Sequence, residues 1–289
     1  MTFVADRERG RMVAAGVDGS PESVAAARYA VRAAGLRDLD LLLVHAYELP
    51  LVNVPIEQAI LDACRDAAHR LVADMASQLT VPSTMRIESV LQPELPSVLL
   101  ERISRTVPLL VVGQDHLTWG ERMLFGQVAS HAAHRAACPV VIVPGGWRAR
   151  RTGEQHPVVV ALDGNTKAQV ALRTAFEEAQ LLRTRVLALH ASPYGSPASE
   201  IAAQTANLTE LLAGWKQDFP DISVRSLVVS GDPDANLLRW SRSAALLVME
   251  RPHGRMWGSW ERSVARAVLK QTHCPMIVVP RQPGRGRNG

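Results

Sequence analysis

Cysteine is scarce in this chain of 289 residues: Cys64, Cys138 and Cys274 are the only three. An odd count at unrelated spacings argues against a disulfide framework and fits a reducing compartment. Long hydrophobic runs are missing too. No apolar stretch approaches the ~18 residues a membrane-spanning helix needs, and the opening MTFVADRERGRM lacks the apolar core of a secretory leader. The expectation is a soluble, cytoplasmic protein that does not engage a membrane. Familiar catalytic signatures are absent as well, with no GxxxxGK[ST], no GxSxG turn and no CxxC. No nucleophile–base pair is visible, so no enzymatic activity is expected.

Acids are missing from one place in particular. The tail RQPGRGRNG holds three arginines and no acid, and WRARRTGEQHP sets Arg148, Arg150 and Arg151 against Glu154 alone. These segments account for the net charge of +4, leaving the rest of the chain near neutrality. A nucleic-acid binder would show a basic face on its folded body. Nucleic acid is therefore not an expected partner, and residues 282–289 read as a disordered, basic tail.

What is present is a repeat. MVAAGVDGSPESVAAARYA recurs as PVVVALDGNTKAQVALRTA, pairing Asp18 with Asp163 and Gly19 with Gly164. LDLLLVHAYELP matches TRVLALHASPYG, pairing His45 with His190, and AACPVVIVPGG matches THCPMIVVPRQ, pairing Cys138 with Cys274. Residues 11–145 and 157–281 are thus two copies of one domain, joined by a linker over 146–156.

Each copy alternates short apolar runs with amphipathic stretches. In the first, strands are expected at about 12–17, 39–45, 84–91, 109–113 and 140–143. PLLVVG is apolar throughout, as a parallel strand buried on both faces would be. A helix over 56–79 places Ile56, Ile60, Ala63, Ala67, Leu71 and Met75 on one expected inward stripe. The pattern implies two tandem three-layer α/β/α sandwiches, each with a five-stranded, parallel, doubly wound, Rossmann-like sheet.

Ligands of such sheets bind beyond the carboxyl ends of the strands, where the strand order reverses. VDGSPES follows the first strand there. Gly19 permits a tight turn, Ser20 can cap the next helix and Pro21 suits its first position. Asp18 either braces that helix or offers its carboxylate to a ligand hydroxyl, amine or metal. In the second copy Asp163-Gly164 keeps the corner, with Asn165 or Thr166 as cap, and Thr166 with Gln169 fits a capping box.

VAAGVDGSPES, VHAYELP, and PLLVVG through FGQVASHAAHRAACPVVIVP together resemble the universal stress protein family, twice over nearly the whole chain. Nucleotide-binding members carry Gly, two residues, Gly, nine residues, Gly, then Ser or Thr, whose backbone wraps the phosphates while the strand-one Asp lies near the adenosine end. In VVGQDHLTWGERMLFGQVAS the pattern starts at Gly113 and ends at Gly126, with His116 at the second glycine and Gln127 at the hydroxyl position. The resemblance implies a partly degenerate ATP site, with magnesium when ATP is bound, framed by Asp18, Gly19, Ser20, Gly113, His116, Gly126, Gln127 and Val128. It also implies docking of the two copies as a pseudo-dimer through Val140–Val143 and Met276–Val279, and homodimerisation. Aligning back from Cys274-Pro275 puts Met249, Pro252 and Arg262 at the glycine positions of the second copy, with Ser263 keeping the hydroxyl. Proline has no amide hydrogen to offer a phosphate, so no nucleotide is expected there.

Three readings follow: a non-enzymatic stress-response module with one residual nucleotide site, an interaction module of the same fold, or a weak ATPase at the first cleft. Trp119, Trp257 and Trp260 lie in the degenerate loops and suit either a filled pocket or a protein partner. His131, His134 and Cys138 share a helical spacing, but their counterparts Ala267, Lys270 and Cys274 do not repeat it, so no metal is expected. His45 and His190 read as satisfied structural histidines.

Overall fold

A computed structural model describes residues 9–49, 57–114, 128–149, 156–162, 168–251 and 268–280. The chain divides near residue 150 into two compact units. The first runs β1 (Met12–Gly16), α1 (Pro21–Gly35), β2 (Asp40–Ala46), α2 (Gln58–Ser77), β3 (Ile87–Gln92), α3 (Pro96–Ile103), β4 (Leu109–Gly113), α4 (Val128–Arg135) and β5 (Val140–Val143). Its strands lie in the order β3-β2-β1-β4-β5, and every pairing is parallel.

The second unit repeats this plan with β6 (Val158–Leu162), α5 (Gln169–Leu182), β7 (Val186–Ser192), α6 (Ala198–Asp218), β8 (Val224–Ser230), α7 (Pro233–Ser241), β9 (Leu246–Glu250) and β10 (Met276–Val279). The order is β8-β7-β6-β9-β10, again all parallel. Both sheets reverse direction between their first and fourth strands, so each unit opens a crevice at the carboxyl ends of that pair. No helix among the described residues is long and apolar enough to cross a membrane.

Small side chains bring helix and sheet together in the first unit. Ala26, Ala27, Ala30 and Ala34 of α1 are fully buried, which lets the helix lie close over β1 and β4. Ser20 caps α1 through a 3.1 Å bond from the Ser23 amide, and Pro21 opens the helix. Such a cap contributes about 1 kcal/mol. The second unit fills its core with aromatics instead. Phe176 on α5 stacks on Trp215 and Phe219 at 5.7 and 5.2 Å, and Arg173 lies over the Trp215 ring.

Two expectations need correction. The buried face of α2 is Ala68, Val72 and Met75, with Ile60, Ala63 and Ala67 exposed and Leu71 half-buried. Apolar residues lie on more than one side of this helix, so their spacing alone did not select the face that meets the sheet. Ile56 lies outside the described residues. Secondly, α5 begins at Gln169, directly after Ala168, which gives no side-chain cap, while Thr166 lies outside the described residues. Gln169 is the first helical residue, whereas a capping box needs it third.

Candidate functional site

The corner after β1 is built tightly. Gly19 has φ +85°, where a side chain would be strained, and the turn points Asp18 out of the sheet. Asp18 Oδ1 accepts a 2.9 Å hydrogen bond from the Ser20 amide, forming an Asx turn at an exposed position. That bond engages one carboxylate oxygen of an exposed side chain. Both earlier readings of Asp18 are therefore compatible: one oxygen braces the helix, and the other can accept from a ligand.

His45 secures this corner from the next strand. Its Nδ1 lies 2.8 Å from the carbonyl oxygen of Val17, in a buried setting. Because a carbonyl only accepts, Nδ1 carries the proton and donates. Val17 also donates its amide to the Val44 carbonyl, so the peptide before Asp18 is held from both sides. His190 repeats the bond to Leu162 O at 2.9 Å. Both histidines are structural, as their paired positions in the sequence implied.

Gly113 closes β4, and its lack of a side chain serves packing. A Cβ there would lie 2.7 Å from the Glu22 carbonyl carbon and 2.9 Å from its oxygen. The glycine is required because the first turn of α1 crosses directly over it. A second glycine, Gly145, clears the Glu22 carboxylate in the same way, with a Cβ meeting Oε1 at 2.9 Å. The sequence pattern attributed Gly113 to phosphate approach; the helix crossing is sufficient to demand it. His116, Gly126 and Gln127 lie outside the described residues, and Val128 begins the described part of α4.

Strand register corrects the alignment of the second unit. Leu109 lies opposite Val13, and Leu246 lies opposite Val158. Val13 and Val158 are equivalent, so β4 and β9 superimpose with Glu250, not Met249, at the position of Gly113. The segment between this strand and the last is one residue shorter in the second unit, which displaced the count made backwards from Cys274. Counting forward from Glu250 instead puts His253 where the first unit has His116. Asp163, Gly164, Asn165, Thr166, Pro252, Arg262, Ser263 and the three loop tryptophans lie outside the described residues.

Glu250 changes the chemistry of its crevice. Its Oε1 accepts from the Ala171 amide, in the first turn of α5, at 3.4 Å. A carboxylate at a helix amino end satisfies an orphan amide and complements the helix dipole. It also places a carboxylate at the carboxyl end of β9.

The histidine–cysteine spacing on α4 has another use. His131 Nε2 faces Glu101 Oε2 of α3 at 3.5 Å, and Arg135 and Arg105 contact the same carboxylate at 3.4 and 3.1 Å. Desolvation works against the Glu101 charge. The hydrogen bond and charge of Arg135, the His131 bond and the Arg105 charge outweigh it and hold the carboxyl below its ordinary value. Cys138 is buried at the entry to β5. Among the described residues, no three His, Cys, Asp or Glu side chains gather as metal ligands.

Duplicated Rossmann-like units, each with a topological switch between its first and fourth strands, define a class of tandem α/β proteins. A model of the universal stress protein family matches residues 11–144 and again 155–280, and the chain belongs to that family. A universal stress protein of Mycobacterium tuberculosis is 32% identical over 283 residues, covering 91% of this chain and 94% of its own. One from Mycolicibacterium smegmatis is 32% identical over 288 residues, with 91% and 95% covered. The crystal structure of a universal stress protein from Archaeoglobus fulgidus shares the fold, with a TM-score of 0.70 over 96% of this chain and 98% of that one at 17% identity.

Proposed function

We propose that this chain is a stress-response module without enzymatic activity that takes one nucleotide, in its first unit. The observation carrying this reading is the asymmetry at one sheet position. Where β4 ends in Gly113, which carries no side chain, β9 ends in Glu250, whose carboxylate sits at the amino end of α5. A phosphate entering the second crevice would meet that charge, while the first keeps an Asp18 oxygen for a ligand hydroxyl or amine.

The family resemblance supports ATP as the nucleotide, with magnesium accompanying its phosphates. His116 and Gln127, in place of a glycine and a hydroxyl, support weak binding. Losing one donor to a charged oxygen costs about 1.5–3 kcal/mol, or roughly one to two orders of magnitude in affinity. Asp18 would orient the nucleoside, and the amino end of the helix that carries Val128 would offer its amides to the phosphates. Self-association of the chain belongs to the same proposal.

Isothermal titration of nucleotide-free protein with magnesium and ATP tests this reading through its stoichiometry. One site per chain, lost in Asp18→Ala, is the expected result. Absence of heat up to millimolar ATP at several temperatures would overturn it and favour the interaction module. Phosphate release that stops in Asp18→Ala would instead make the first cleft a weak ATPase.

A further inference from the structure

Two grooves lie away from the nucleotide crevice, at the amino edge of each sheet. In the first unit a groove of about 590 Å³ is lined by Arg11, Asp38, Asp40 and Arg86, with Pro82 and Met85 at its wall. In the second a groove of about 700 Å³ is lined by Arg183, Thr184, Arg185, Asp221, Ser223 and Arg225. Strand register makes these the same place in the repeat. Leu41 lies opposite Ile87 and Val186 opposite Val224. Asp40, Arg86 and Glu88 of the first unit therefore correspond to Arg185, Ser223 and Arg225 of the second. Asp38 corresponds to Arg183, and both hold the left-handed conformation, with φ of 54° and 51°.

In the first unit these positions neutralise one another. Arg86 donates to Asp40 from its amide at 2.8 Å and from Nε at 3.0 Å, and Nη1 reaches Glu88 at 4.0 Å. A cation sits between two acids. In the second unit every acid of that arrangement has become arginine, and the central arginine has become Ser223. Asp221 is the one acid on the groove wall, and among the described residues no ion pair joins it to Arg183, Arg185 or Arg225. Those three exposed guanidinium groups have no acidic partner among the described residues.

Arg185 and Arg225 flank Ser223 across the β7–β8 pairing, and like charges so placed repel each other. A long side chain relieves this by swinging into water, yet the groove still concentrates positive charge where its twin concentrates an acid–base–acid sandwich. The complement of the inverted arrangement is an anion in the place of the central Arg86. Guanidinium forks bind phosphoryl oxygens in pairs. Three forks, from the end of α5, the residue before β7 and β8, suit an anion with several phosphoryl groups better than a single orthophosphate.

We propose that the amino-edge groove of the second unit is a binding site for a small oligophosphate, held by Arg183, Arg185 and Arg225. The site is separate from the nucleotide crevice at the opposite edge and does not depend on that reading. Raised salt weakens it, since its cations are exposed.

Calorimetric titration of the full chain with inorganic tripolyphosphate at low ionic strength tests the assignment, with orthophosphate as the single-phosphoryl comparison. Tripolyphosphate is expected to bind once per chain and more tightly than orthophosphate. Arg185→Ala combined with Arg225→Ala is expected to weaken it roughly ten- to hundredfold, whereas Asp18→Ala leaves it unchanged. A second variant, Arg185→Asp with Ser223→Arg and Arg225→Glu, rebuilds the first unit's clamp; it is expected to melt no lower than the parent and to lose tripolyphosphate. Competition by ATP that survives Asp18→Ala supports a nucleotide triphosphate as a source of the ligand, and its absence supports inorganic oligophosphate. No binding by the parent, binding unchanged in the arginine variants, or binding lost in Asp18→Ala overturns the proposal.

Discussion

Glu250 Oε1 lies 3.4 Å from the amide nitrogen of Ala171, and so supplies from another strand the cap that Ala168 cannot give to α5. In the first unit the same task falls to Ser20, within the turn itself. The two copies thus start their first helices by different means, and the difference puts a carboxylate at the end of β9 where β4 ends in glycine. Glu250→Gly is expected to destabilise the protein by about 1 kcal/mol, the usual scale for a lost helix-terminal acceptor. Urea denaturation followed by far-ultraviolet circular dichroism measures it. An unchanged midpoint would show that the bond contributes nothing.

Gly113→Ala is expected to cost about 1–3 kcal/mol, the range for forcing an extra carbon into a packed site. The added Cβ would stand 2.7 Å from backbone of Glu22, and backbone cannot swing aside as a side-chain tip can. Gly146→Ala is the internal control, since nothing lies within 4 Å of a Cβ there. Thermal melts of the two variants side by side distinguish a packing glycine from a replaceable one. Equal melting temperatures would contradict the packing argument.

Removing the ring of His45 leaves the Val17 carbonyl without its donor in a buried setting. His45→Ala is expected to destabilise by about 1–3 kcal/mol and to loosen the corner that presents Asp18. His190→Ala, at a more exposed position, is expected to cost less. Amide hydrogen exchange at Val17 and Ser20 reports the corner directly, and faster exchange at both is the expected sign.

Asp18→Asn separates the two uses of this residue. The asparagine carbonyl oxygen can still accept from the Ser20 amide and keep the Asx turn, while the negative charge is gone. Stability is expected to hold within about 0.5 kcal/mol, and nucleotide binding is expected to fall. A large loss of stability would mean that the charge itself holds the turn.

Glu101 ties α3 to α4 through Arg135, His131 and Arg105. Its carboxyl is held below the ordinary value in the folded protein, so the unfolded chain binds this proton more readily. The contribution to stability is therefore full above the unfolded carboxyl's range and is lost as pH falls through the folded value. The stability gap between the parent and Glu101→Gln is expected to be present at neutral pH and to close progressively in acid. A gap constant from pH 7 to pH 3 would exclude that linkage.

Much of this architecture was legible in the residues. A fully apolar PLLVVG had to be a buried parallel strand, and repetition of the Asp-Gly corner and of Cys-Pro declared a duplicated unit. Ser20 and Pro21 announced the start of α1 because caps are local chemistry. The α2 stripe was less legible, since Ile60, Ala63 and Ala67 are apolar yet face away from the sheet. Helix periodicity does not choose among apolar faces; the partner surface does.

Sequence by itself determined what depends on near neighbours and on hydrophobic period: the strands, the turn at Gly19, the duplication and the family. Only the tertiary structure decided which residues stand opposite one another across the sheet. Glu250 came to stand for Gly113 because a shorter connection shifts the count while strand pairing holds the register. Gly113 proved to make room for Glu22, and Arg185 and Arg225 proved to stand where Asp40 and Glu88 share Arg86. Each of these relations joins segments far apart in the chain, and packing and hydrogen bonding between strands fix them, for which no local pattern carries a signal.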